Sequence, residues 1–128
     1  MSKRFALFFV LAGPLLFVAG CSPRLEDERT TDLTPDKVQK YATPSPIKEL
    51  TVSFESDKEP VSVYVVDSAN EARETESLTT GKTPTSTLGK KEKTKKDEIK
   101  IVLNEKKLMS VLIVCEKSTR VKVKLSGR

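Results

Sequence analysis

From Glu49 onward the chain alternates between apolar and polar residues. Leu50, Val52 and Phe54 are separated by Thr51, Ser53 and Glu55, the period of two that sends one face of a strand into a core and the other into water. "SDKEP" is a turn. Val61, Val63 and Val65 then alternate with Ser62, Tyr64 and Val66, giving a second strand whose other face is also partly apolar. Asp67 to Asn70 closes it with turn chemistry. Glu71 to Leu78 fits a short helix, Thr80 to Pro84 a loop, and Thr85 to Lys90 a short strand around Leu88. Three strands follow. Ile99, Ile101 and Leu103 alternate with Lys100 and Val102. Leu108 to Cys115 is a nearly continuous apolar run, as a central strand covered on both sides requires. Val121, Val123 and Leu125 alternate with Lys122 and Lys124, and those two lysines would shield an exposed sheet edge. The pattern predicts an all-β fold, a small antiparallel β-sandwich or barrel of about five to seven strands over residues 49–128.

Residues 22–48 read differently. The segment is polar, holds four prolines and lacks sustained periodicity, so burial cannot offset the entropy of ordering it. It is expected to be a flexible linker with a root-mean-square reach of about 30 Å. Within it, Thr34 and Pro35 suit the start of a short helix that would place Val38 and Tyr41 on one face.

The first residues follow a third pattern: basic Ser2-Lys3-Arg4, an apolar stretch from Phe5 to Ala19, and small residues before Cys21. This is the layout of a secretory signal, and with Gly13-Pro14 inside it the stretch is short for a membrane span of about twenty residues. Val18-Ala19-Gly20-Cys21 resembles the lipobox of bacterial lipoproteins. The resemblance implies that Val18, Ala19 and Gly20 are read by signal peptidase II and that the Cys21 sulfur receives a diacylglyceryl group. Residues 1–20 would then be removed, and residues 21–48 would be the lipidated cysteine and its linker. The covalent lipid would be the sole prosthetic group and the membrane the first partner. Ser22 after the cysteine favours outer-membrane sorting where a cell has two membranes. An ordinary signal peptide would instead leave Cys21 free to pair with Cys115. If Cys21 is alkylated, Cys115 is either a reactive thiol or a small buried hydrophobe at the end of its strand.

Composition narrows the chemistry. Histidine and tryptophan are absent, which removes the usual proton shuttle and the commonest zinc ligand. No catalytic residue and no metal site is expected: Ser62, Ser68 and Asp67 lack an activating base, and Glu71, Glu74 and Glu76 read as a solvated acidic face. Charge is unevenly spread. Residues 21–81 carry 7 Lys and Arg against 13 Asp and Glu, whereas residues 82–128 carry 14 against 5. Lys90, Lys91, Lys93, Lys95 and Lys96 concentrate the positive charge, either as a site for an anionic glycopolymer or an acidic envelope protein, or as a solvated hairpin loop. No nucleic-acid partner is expected, because no aromatics are interleaved with the lysines and the signal-like start implies export. The oligomeric state is open. The strand order and the closing "TRVKVKLSG" are similar to small exported β-sandwich domains of the pre-peptidase C-terminal kind, which implies an accessory or binding role and no catalytic residues. The expected function is thus that of a non-catalytic binding or adaptor module of the cell envelope.

Overall fold

Among the described residues, eight strands pair into two four-stranded antiparallel sheets packed face to face. The structure, a computed structural model, describes residues 24–128; the motif Val18, Ala19, Gly20 and Cys21 lies outside the described residues. The strands are β1 (Leu25–Leu33), β2 (Gln39–Ala42), β3 (Ile47–Ser56), β4 (Val61–Asp67), β5 (Gly89–Thr94), β6 (Lys96–Lys107), β7 (Met109–Cys115) and β8 (Thr119–Gly127), with one helix, α1 (Glu71–Thr79). One sheet runs β1-β8-β3-β6 and the other β2-β7-β4-β5, so the chain changes sheet at every connection except β4 to β5, which carries the helix.

The two inner faces make the core. Leu50, Val52 and Phe54 of β3, Val61, Val63 and Val65 of β4, Val111 and Ile113 of β7, and Val121, Val123 and Leu125 of β8 are all buried in one cluster, as their alternation requires. Each such side chain contributes roughly 1.5 to 3 kcal/mol by leaving water. Close backbone approach closes one end. A Cβ at Gly127 would run into the Glu49 carbonyl oxygen, where the ends of β8 and β3 meet. Gly127→Ala is expected to cost about 1 to 3 kcal/mol, read as a lower urea midpoint with an unchanged slope.

Three expectations are corrected. Residues 25–42 are not linker: β1 pairs along its whole length with β8, from Leu25 opposite Gly127 to Leu33 opposite Thr119, and β2 pairs with β7. The ladder satisfies a polar segment whose own pattern could not announce it, because β1 carries charges on both faces. Thr34 to Lys37 is a turn rather than a helix, closed by Lys37 N–H to the Thr34 carbonyl (3.2 Å) and by Thr34 Oγ1 to Asp36 (2.7 Å). β3 to β8 are six strands, within the five to seven expected of residues 49–128, and β1 and β2 bring the described residues to eight; β8 is interior, so Lys122 and Lys124 guard no edge. On that side of the sheet the edge belongs to β1, with β6 at the other. The core-side positions of β1, Asp27 and Arg29, opposite Leu125 and Val123, pair with each other at 3.1 Å and put charge where an added strand would need an apolar contact.

The middle of the chain also differs in detail. The helix forms over Glu71–Thr79, close to expectation, and Gly81 ends it at φ +80°, with Gly81 N–H on the Leu78 carbonyl (3.1 Å) and Lys82 N–H on the Ser77 carbonyl (2.7 Å). This is the Schellman arrangement, which needs a left-handed residue and so a glycine. The strand expected at Thr85 to Lys90 lies instead at Gly89–Thr94. Residues 81–88 are held to the helix by the buried Glu74 carboxylate accepting Ser86 N–H (2.6 Å) and by Arg73 donating to Ser86 Oγ (2.9 Å).

Candidate binding groove

The second apolar face of β4 has a use. Tyr64 and Val66 point away from the main core and, with Leu112 of β7, form a separate buried cluster against which Val38, Leu78 and Val114 pack. Helix α1 covers only part of this outer face. Between its C-terminal end, the Pro35–Val38 turn and β5, a groove of about 890 Å³ remains open. Tyr64, Val38, Leu78 and Val114 provide its apolar surface. Its rim carries Asp36, Glu59, Glu92 and Glu116 beside Lys37, Lys82, Lys93 and Lys117, charges of both signs.

Tyr64 is the most perturbed polar group there. Burial, and then its hydrogen bond to the Glu92 carboxylate (2.7 Å) and that carboxylate's charge, push its hydroxyl up to about 12. The ordinary tyrosine value is about 10, so the neutral folded form is favoured, and this stabilisation is full below about pH 10 and lost as pH rises through about 12. Glu92→Gln should move the Tyr64 transition toward lower pH, read by phenolate absorbance in a Tyr41→Phe background. An unchanged transition would show that burial alone sets it.

The contacts that dock α1 are mostly polar. Glu71 accepts from Ser110 Oγ (2.5 Å) and lies 3.8 Å from Lys40 Nζ, while Thr75 Oγ1 is buried without a hydrogen-bond partner among the described residues. Leu78 is the helix's main apolar contact with the sheet, which leaves the groove wall shaped by few side chains.

The lysine segment is neither a loop nor a single cradle. It spans β5, the crossing at Lys95 and the start of β6, and so passes from one sheet to the other. Lys90 lies 3.8 Å from Glu92, Lys91 3.6 Å from Asp97 and Lys93 3.6 Å from Glu116. The Lys95 carbonyl accepts Ser56 N–H (2.7 Å), and Lys96 stands opposite Glu55. Lys93 alone of the five lines the groove, held at φ 54° with its N–H on Ser62 Oγ (3.1 Å). Lys96 instead borders a shallow depression of about 480 Å³ on the outer face of the other sheet. There Glu28, Glu55 and Glu98 interleave with Lys122 and Lys124.

Cys115 faces the main core and has no disulfide partner among the described residues, and burial raises its thiol above the ordinary value, which disfavours the reactive thiolate. Among the described residues no group of three or more His, Cys, Asp or Glu is placed to hold a metal, and no helix is long and apolar enough to cross a membrane. Tyr64, Val38, Leu78 and Val114 were not singled out from sequence as a site. The available signal was the apolar second face of β4 together with the unbroken run in β7. No family model matches the chain, and a search of the curated proteins returns no match either.

Proposed function

We propose that the protein is a cell-envelope lipoprotein, anchored through Cys21, whose sandwich is a non-catalytic binding or adaptor module that receives a segment of a partner protein in the Tyr64 groove. The groove carries this reading: partly exposed Val38, Leu78 and Val114 line an open cavity beside the buried Tyr64, rimmed by both signs of charge. Such a surface suits a peptide with apolar anchors between charged residues, because the apolar side chains supply burial and the rim sets register. The lipobox resemblance supports the anchor, and Ser22 supports sorting to the outer membrane where there are two. Binding of an anionic glycopolymer through Lys90 to Lys96 is supported less, because three of those five lysines already face carboxylates of the same domain.

The test is capture of partners by the tagged chain, solubilised from its own membranes in mild detergent, beside Leu78→Glu and a variant with all five lysines changed to glutamine. A stoichiometric partner that survives high salt, is lost with Leu78→Glu and is kept by the glutamine variant is the expected result. Loss with the glutamine variant alone would transfer the function to the lysines.

A further inference from the structure

Cys21 precedes the first residue of β1 by four positions, and four residues reach at most about 14 Å when fully extended. On the lipoprotein reading, the Leu25 end of the sandwich is therefore held close to the bilayer. Strand register identifies what else lies at that end. Leu25, Gly127, Leu50 and Ile101 stand in one row across β1, β8, β3 and β6. In the next row Glu49 is opposite Val102, and Arg128 joins Glu49 through backbone (3.0 Å) and side chain (3.2 Å). From there β6 advances to Lys107 while β3 moves only to Ile47. The surplus residues make an excursion at this end, and Asn104 to Leu108 are exposed.

Two large apolar side chains are exposed among the described residues, Val102 at 77% and Leu108 at 43%. Val102 stands where the excursion begins and Leu108 just after it ends. Scattered exposed hydrophobics need no explanation, but these two flank the one end that a Cys21 anchor brings to lipid. Lys48, Lys106, Lys107 and Arg128 belong to the same end of the strands, with Glu49, Asp67 and Glu105. Lys107 pairs with Asp67 (3.4 Å) and Arg128 with Glu49 (3.2 Å), whereas Lys48 and Lys106 take no carboxylate partner among the described residues.

We propose that this end is a membrane-docking surface, with Val102 and Leu108 entering the interfacial layer and Lys48 and Lys106 facing anionic phospholipid headgroups of the bilayer that holds the anchor. The inference rests on the lipoprotein reading above. An apolar pair beside basic residues adds a second, weaker attachment to the acyl chains and so fixes orientation. Its consequence concerns the groove, part of whose rim, the Pro35–Val38 turn, Glu59-Pro60 and Glu116-Lys117, belongs to the opposite end of the strands. Docked this way, the protein turns that rim away from the membrane.

The chain contains no tryptophan, so Val102→Trp and, separately, Lys117→Trp each supply a single fluorophore at an exposed position. The full chain is produced in a bacterium that lipidates it, with palmitate incorporation compared against Cys21→Ala, and reconstituted into phosphatidylglycerol vesicles with brominated or ordinary acyl chains. The expected result is strong quenching and a blue shift for Val102→Trp and little change for Lys117→Trp. Quenching of Val102→Trp should weaken when Lys48 and Lys106 are both changed to glutamine. Equal quenching at both sites in a palmitate-labelled protein that floats with the vesicles would overturn the docking surface and leave the anchor standing. Palmitate incorporation no greater than in Cys21→Ala would remove the anchor and the docking surface with it.

Discussion

A chain lacking residues 24–33 is expected not to fold, and on purification to aggregate without a cooperative thermal transition. The reason is the place of β1, not its composition. It pairs with β8 along nine positions, and each ladder hydrogen bond contributes a net of about 1 kcal/mol. Leu33 is 2% exposed, and its burial adds about 2 kcal/mol. Thr31 also bonds the Tyr41 hydroxyl, joining β1 to β2 of the facing sheet. Together these approach the roughly 5 to 15 kcal/mol that is the whole net stability of a domain. Deletion also turns β8 into a long exposed edge whose core-side residues are Val121, Val123 and Leu125. Such an edge invites intermolecular pairing. Circular dichroism melting and size-exclusion chromatography of the shortened chain, beside one beginning at Arg24, check this. An unchanged melting temperature in the shortened chain would return the segment to the role of linker.

Thr119→Val is expected to lower stability by about 2 to 3 kcal/mol, a fall in Tm of roughly 10 to 20 °C for a domain of this size. Thr119 is 6% exposed at the start of β8, where the β3–β4 and β7–β8 connections, both of which cross between sheets, come together. Its Oγ1 donates to Asp57 Oδ1 (3.0 Å), accepts the N–H groups of Lys58 (3.2 Å) and Glu59 (3.1 Å), and lies 2.7 Å from Ser56 Oγ. Valine keeps the shape and removes every one of these bonds. The buried Ser56 hydroxyl retains only its bond to the Glu59 carbonyl.

The same substitution has a signature in pH. The Arg120 N–H and then the Thr119 hydroxyl hold the Asp57 carboxyl below its usual value. A lowered folded pKa gives stability that is present above the unfolded value of about 3.9 and is lost as pH falls through the folded one. Thr119→Val should therefore raise the Asp57 pKa, seen by NMR titration of its carboxyl carbon, and reduce its share of acid sensitivity. An unmoved Asp57 would assign the effect to the Arg120 amide alone.

Individual residues show how far the pattern along the chain reaches. Val61 to Val66 was readable as a strand whose other face is also partly apolar, and on that second face Tyr64 borders the groove while Val66 is covered. Leu108 to Cys115 was readable as a strand covered on both sides, and α1 with the Pro35–Val38 turn is what lies over its outer face. Val38 and Leu78 could not be assigned to the groove from sequence. Each is a lone apolar residue in a polar segment, and their nearness arises only when a turn and a helix pack on one sheet.

The all-β class, the strands whose alternation drives burial and the lipobox-like run ending at Cys21 are legible in the chain alone, and Glu71 to Leu78 allowed a helix, because periodicity and short motifs are local properties. Tertiary structure alone decided that the polar residues 25–42 are strands, that β8 is interior, and that the five clustered lysines are divided between two sheets. Pairing explains the difference: an edge strand such as β1 is stabilised by the backbone groups of its neighbour, and those hydrogen bonds leave no mark on its side chains.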